Sequence, residues 1–153
     1  MIVVEDGYEL RRLINQRIEE QGPNCNLNDI DVSRVTDMSN MFRNTIFNGD
    51  ISQWDVSNVT SMYGMFMSSK FNRDISQWDV SHVRHISWMF ACSPFNGDIS
   101  GWDVSKVENM ISMFESSNFN GDLSRWDVSR VEYMDDMFLS SPLEGREPEW
   151  YKK

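Results

Sequence analysis

Aspartate recurs at 31, 55, 79, 103 and 127, each time opening an Asp-Val-Ser triplet and each time 24 residues from the next. If successive copies stack as parallel strands about 4.8 Å apart, Asp55, Asp79, Asp103 and Asp127 form an outward file of carboxylates. Adjacent unit charges at that spacing repel by about 0.9 kcal/mol in a water-like medium. Such a file needs compensating groups or a cation, and a hard cation such as calcium takes oxygens from several directions. Compensation is at hand: three residues beyond each Asp stand Arg34, Asn58, His82, Lys106 and Arg130. The Ser that closes each triplet also reads as a helix N-cap, where free amides favour an anion. A cation or glycan held along the Asp file is the alternative. His82 and His85 share a copy with Asp79 and Cys92. Zinc, however, requires four ligands converging on one point, and Cys92 is a helix length away. No Gly-rich phosphate loop, nucleophile elbow or metalloprotease motif occurs. No catalysis and no cofactor are expected.

Two sets of variable positions are candidates for recognition. The first flanks the conserved tryptophan: Gln53, Gln77, Gly101 and Arg125 precede it, and Asn58, His82, Lys106 and Arg130 follow it. Variation at fixed register suits a partner-reading concave face, the use to which curved repeat arrays are put. The second comprises Tyr63, Trp88, Ile111 and Tyr133, which the repeat does not require. Aromatic side chains outside the core register can anchor an interface, although single exposed apolar residues are ordinary.

These positions depend on a repeat. Trp54, Trp78, Trp102 and Trp126 each precede an Asp-Val-Ser triplet, and Trp150 falls one period later. Phe47, Phe71, Phe95 and Phe119 keep the same spacing, as do Met-Phe pairs beginning at 41, 65, 89, 113 and 137. A period of 24 lies within the leucine-rich-repeat range. The segment Ile75-x-x-Trp78-x-Val80-x-x-Val83 reproduces the apolar spacing of such a repeat, and Leu27-x-x-Ile30-x-Val32-x-x-Val35 supplies a zeroth strand. Val59, Met62, Met65 and Phe66 recur at steps of three and four, which predicts a short helix in each copy. Met38, Met41, Met62, Met65, Met89, Met110, Met113, Met134 and Met137 occupy its inward positions and are core filling, not copper ligands. Asn24, Asn48, Asn72, Asn96 and Asn120 are expected as an inward ladder of amides serving the backbone of adjacent copies.

The expected fold is an α/β, leucine-rich-repeat-like, right-handed solenoid, with parallel short strands on one face and short helices on the other. It reads as one domain. Residues 1–30 form an N-terminal cap, with an amphipathic helix over Tyr8–Gln21 ended by Gly22-Pro23, and a zeroth strand. Repeats fill 31–142, and 143–153 close the array, with Leu143 replacing Phe and Trp150 folding back over the last copy.

The unit Phe-Asn-Gly-Asp-Ile-Ser-Gln-Trp-Asp-Val-Ser-Asn-Val-Thr-Ser-Met at 47–62 resembles the repeat of the BspA-like leucine-rich-repeat surface proteins of host-associated microbes. The resemblance runs over about residues 8–150, from Leu27-Asn-Asp-Ile-Asp-Val-Ser33 to Ser141-Pro-Leu-Glu-Gly-Arg-Glu-Pro-Glu-Trp150. It implies a surface lipoprotein or adhesin and says little about activity. No signal peptide, lipobox Cys or wall-anchoring motif accompanies it, so a cytoplasmic location is expected for the chain as it stands, and a surface location if a leader was removed.

Composition narrows the functional classes. Of 153 residues, 14 are basic and 24 acidic, for a net charge of −10. Phosphate contacts need Lys and Arg, so nucleic acid is not the expected partner. No apolar run reaches the roughly 18 residues of a spanning helix, so no membrane insertion is expected. Cys25 and Cys92 alone make neither a disulfide framework nor a thiolate zinc site, and free thiols are expected. The leading reading is a monomeric, noncatalytic protein-interaction module. An immunity-type binder would be its intracellular form and an adhesin fragment its surface form, with a calcium- or glycan-binding array and a self-associating structural protein as the alternatives.

Overall fold

The computed structural model describes residues 1–152. It contains strand β1 (Ile2–Val3), helix α1 (Gly7–Gln21) and strand β2 (Ile30–Asp31), with β1 and β2 paired in parallel, Ile2 opposite Ile30. Strand β1 precedes the expected N-terminal helix, and its signal is the β-branched run Ile2-Val3-Val4.

Helix α1 starts where Asp6, in extended backbone at φ −154°, accepts a hydrogen bond from the Glu9 amide. The Glu9 carboxylate in turn accepts from the Glu5 amide at 2.9 Å, a variant of the reciprocal capping arrangement. It stops at Gly22, whose φ of +89° and amide bond to the Ile18 carbonyl close the last turn before Pro23. Leu10 and Ile14 are fully buried. The helix lies against the first copy, where a Cβ at Gly7 would sit 2.5 Å from the Asp37 carbonyl oxygen. Arg11 donates to the Ser39 carbonyl at 3.2 Å. The corresponding carbonyls of later copies accept from the copy before them, so Arg11 supplies a donor that no preceding copy provides. Arg17 grips Asp29 through two bonds of 3.0 and 2.6 Å and fixes the other end of the helix.

The repeated segment departs from the expected helix. In copy two, Met62, Gly64 and Phe66 carbonyls accept from the amides of Met65, Met67 and Ser69, three residues on. Gly64 and Ser68 have φ of +59° and +55°, so the turns at 62–65 and 66–69 carry the positive φ of type II turns at their third residue. The same register is left-handed at Asn40, Trp88, Ser112 and Asp136, and again at Asn44, Cys92, Ser116 and Ser140. No α-helix forms here because one residue in four, at Gly64 and again at Ser68, reverses the sense of the backbone. That reversal sends amides out of the turn to the next copy: Met62, Gly64, Phe66 and Ser68 donate to the carbonyls of His85, Ser87, Met89 and Ala91, each at 2.9 Å. Parallel bridges run Asp37–Ser61–His85–Asn109–Tyr133, on the segment that the 3-and-4 spacing had marked as helical. The expected strand at 75–83 is instead a pair of turns. Its inward set is nevertheless the one anticipated, with Ile75, Trp78, Val80 and Val83 all buried.

The core is a set of aromatic columns. Phe42, Phe66, Phe90, Phe114 and Phe138 stack with centroids 5.5 to 5.8 Å apart. Phe47, Phe71, Phe95 and Phe119 stack at 6.2 to 6.3 Å. The tryptophans of the 24-residue register each donate Nε1 to a carbonyl 27 residues earlier, from Trp54 to Leu27 through Trp126 to Ile99, which satisfies the one polar atom of a buried indole. Met38, Met62, Met65, Met89, Met110, Met113 and Met137 are wholly buried among them, Met41 nearly so and Met134 partly.

At the far end Trp150 stacks on Trp126 at 6.4 Å and donates to the Leu123 carbonyl, in the manner of the other tryptophans. Leu143 is buried, and Tyr151 meets Phe138 edge-on at 5.0 Å. Both cysteines are free, Cys25 buried and Cys92 exposed. Among the described residues no helix is long and apolar enough to cross a membrane, and no buried side-chain nitrogen or oxygen lacks a partner.

Candidate functional site

The Asp file stands on the surface, and each of its members has work inside its own copy. Asp55 accepts from the Ser57 amide at 3.0 Å and the Ser57 hydroxyl at 2.6 Å. Asp31, Asp79, Asp103 and Asp127 accept in the same way from the amides of Ser33, Ser81, Ser105 and Ser129. These are Asx turns, so the serine is the donor and not the N-cap acceptor the sequence suggested. Hydrogen bonds from Ser33, Ser81, Ser105 and Ser129 hold the carboxyls of Asp31, Asp79, Asp103 and Asp127 below the ordinary carboxylate range. Nearby charge adds to this: His82 and Lys106 act on Asp79, Lys106 on Asp103 and Arg130 on Asp127. At Asp103 the charge of Asp79 works against this effect and raises the carboxyl.

A second file escaped the sequence reading. Asp50, Asp74, Asp98 and Asp122 accept from the amides of Ser52, Ser76, Ser100 and Ser124 at 2.9 to 3.0 Å. The signal was present, since Asp-x-Ser occurs twice per copy, five residues apart. Two Asx turns per copy curl the chain where a strand had been expected. Among the described residues, no three His, Cys, Asp or Glu side chains are grouped so as to hold a metal, and this includes His82, His85, Asp79 and Cys92.

The basic file is partly structural. Asn58 Nδ2 donates to the Ser33 carbonyl of the preceding copy at 2.7 Å. His82 Nδ1 lies 3.4 Å from the Ser81 hydroxyl, Lys106 is half-buried, and Arg130 is exposed. Of the residues before tryptophan, Gln53 donates its main-chain amide to Asn28 Oδ1 at 3.0 Å, while Gln77 and Arg125 are exposed. Glu108, three residues beyond Ser105, pairs with Arg84 of the copy before, at 3.1 Å.

The aromatic set divides. Tyr63 shares a register with Ile111, Trp88 falls with Gly64 and Ser112, and Tyr133 lies on the parallel bridge. The four thus fall on three registers, Tyr63, Trp88 and Ile111 in turns and Tyr133 on the bridge. Tyr63 is 39% exposed and Tyr133 52%, whereas Trp88 and Ile111 are half-buried. Trp88 is exceptional in its backbone, a bulky residue at φ +61° where the other copies carry Asn, Gly, Ser and Asp. The inward Asn ladder also changes place. Asn48, Asn72 and Asn96 each accept from the Asn amide one copy on, at 2.9 to 3.0 Å, but Asn72, Asn96 and Asn120 are exposed.

Two openings lie elsewhere. A cavity of about 190 Å³ is lined by Asp135, Asp136, Phe138, Leu139, Glu144, Glu147 and Tyr151. A shallower groove of about 570 Å³ runs between β1 and α1, past Ile2, Val4, Glu9, Arg12 and Leu13. Neither is lined by a candidate recognition residue.

Copies paired along parallel bridges at a constant 24-residue offset define a repeat protein. The chain belongs to the family described as "Mycoplasma protein of unknown function, DUF285", which matches it twice, over residues 11–116 and 89–145. No curated protein matches it, and no solved structure does.

Proposed function

We propose that this chain is a noncatalytic protein-interaction module, a leucine-rich-repeat-like solenoid that binds another protein through positions its repeat leaves free to vary. The observation that carries this reading is a division of labour among side chains. The constant residues are consumed internally: phenylalanines and methionines in the core, tryptophans on backbone carbonyls, aspartates on serines and asparagines on the next copy. What varies at exposed register is the set Gln77, Arg125, His82, Arg130, Tyr63 and Tyr133. Trp88 supports the same reading, because a bulky residue in the left-handed region costs about 1–3 kcal/mol and such strain clusters at functional positions. The finer kinship is to the BspA-like surface proteins, with an adhesin fragment as the surface form of the module.

The test is affinity capture with three baits: wild type, a Gln77→Ala/His82→Ala/Lys106→Ala variant, and a Tyr63→Ala/Trp88→Ser/Tyr133→Ala variant. Ser is the residue that copy four carries at the Trp88 register, so that replacement suits the backbone. A partner retained by wild type and lost with one variant is expected, and it identifies the binding face. Recovery of the same partners in equal amounts by all three baits would overturn the proposal.

A further inference from the structure

Three of the ladder asparagines precede glycine: Asn48-Gly49, Asn96-Gly97 and Asn120-Gly121. Asn-Gly is the dipeptide in which a main-chain nitrogen most readily attacks the preceding side-chain amide, because glycine presents no Cβ to hinder the approach. Whether it does so depends on how firmly the amide is held away from that nitrogen. Asn48 and Asn96 are held by main chain, since their Oδ1 atoms accept from the amides of Asn72 and Asn120 at 2.9 Å. Such a donor withdraws only if two copies separate. Gly49 is enclosed as well, with the Cys25 carbonyl where its Cβ would stand.

Asn120 is the last rung, and its clamp is different. Its Oδ1 accepts from Arg146 Nη2 at 2.7 Å, and that nitrogen also reaches the Pro142 carbonyl at 2.8 Å. Arg146 is exposed, and a long exposed side chain releases its partner by rotating, without any separation of copies.

We propose that Asn120–Gly121 is a site of spontaneous covalent modification and that Arg146 gates it. In the first step the Gly121 nitrogen bonds to Asn120 Cγ, the bond from Cγ to the side-chain nitrogen breaks, and ammonia leaves with the proton from Gly121. Water then opens the cyclic imide at either carbonyl, giving aspartate or isoaspartate. Nothing is oxidised or reduced, and water is the only co-reactant. Aspartate at 120 would keep the bond to Arg146 as an ion pair. Isoaspartate would lengthen the main chain between buried Phe119 and the Asx turn at Asp122, disturbing the last full copy. This inference stands independently of the proposed binding role.

The full-length chain is incubated, folded, in mildly alkaline buffer, and conversion at each asparagine is followed by peptide mapping with isoaspartate detection. Conversion at Asn120 is expected to outpace that at Asn96 and Asn48. Arg146→Ala should raise the Asn120 rate about tenfold, the factor that one charge-assisted hydrogen bond is worth, and leave Asn96 unchanged. A melting curve of the variant shows that it remains folded, and the comparison of Asn120 with Asn96 within the wild type needs no variant. Equal rates at those two sites, or an Arg146→Ala rate equal to wild type, would overturn the proposal.

Discussion

Asp79 shows how a residue that resembles a ligand becomes a structural acceptor. Its carboxylate accepts from Ser81, stands near His82 and Lys106, and so shapes its own turn while its charge is balanced. Asp74, five residues earlier, repeats the arrangement with Ser76. Aspartate was legible as a constant, charged file, and its need for compensation followed from Coulomb repulsion alone. Which serine atom faces it was not legible, because Asp-x-Ser suits both an Asx turn and an N-cap. The consequence is a defined acid response. Asp31, Asp50, Asp74, Asp79, Asp98, Asp103, Asp122 and Asp127 all have folded carboxyl pKa values below the ordinary one. A depressed folded value means that the stabilisation is fully present above the unfolded pKa of about 3.9 and is lost as pH falls through the folded values. Urea midpoints should therefore be constant above about pH 5 and decline below about pH 4. A midpoint that rose on acidification across that range would contradict these turns.

At the scale of elements, α1 and the repeats respond differently to the same kind of reasoning. Of the apolar residues at 3-and-4 spacing in α1, Leu10 and Ile14 are fully buried and Leu13 and Ile18 partly so, and capping by Asp6 and Gly22 agrees with a helix. The same spacing at Val59, Met62, Met65 and Phe66 correctly marked buried positions but not a helix. Spacing records which side chains face inward, and a chain of type II turns can place residues three and four apart inward as well. What distinguishes the two is a residue tolerant of positive φ at Gly64 and Ser68, a signal carried by Asn, Gly, Ser and Asp at one register of the other copies. Gly64 is the sharpest case, since its φ is +59° and a Cβ there would lie 2.5 Å from Asn40 Oδ1. Gly64→Ala should lower stability by about 1–2 kcal/mol from backbone strain, with a further loss unless Asn40 moves. Thermal or urea unfolding measures it, and a variant as stable as wild type would refute the left-handed turn.

For the whole molecule, cohesion comes from copy-to-copy contact: amide ladders, Phe columns and tryptophan bonds each link a copy to its neighbour. Such an array has exposed ends, and here they are served by α1 with Arg11 and by Trp150 with Arg146. The acidity is concentrated toward these ends, with six acids and three bases in residues 1–30 and seven acids and two bases in 127–150. If the two Asp files are turn acceptors balanced by neighbouring cations, the array does not depend on a divalent ion. Melting curves in EDTA and in millimolar calcium should then agree to within about 1 °C, whereas a bound ion raises the transition as its concentration exceeds its Kd. A clear upward shift with calcium would restore the cation reading of Asp55, Asp79, Asp103 and Asp127.

From its sequence alone, this protein's period, its inward residues, its capping helix and its closing Trp150 could be read, because repetition and burial both leave a pattern of residue types at fixed spacing. The tertiary structure decided how the backbone travels between those residues: turns replace helices, the parallel bridge sits at Ser61, and the Asn ladder is exposed. The physical reason is that the backbone's partners lie 23 or 24 residues away, in the next copy. A local pattern of side chains shows which way each residue faces but does not show where its amide is bonded.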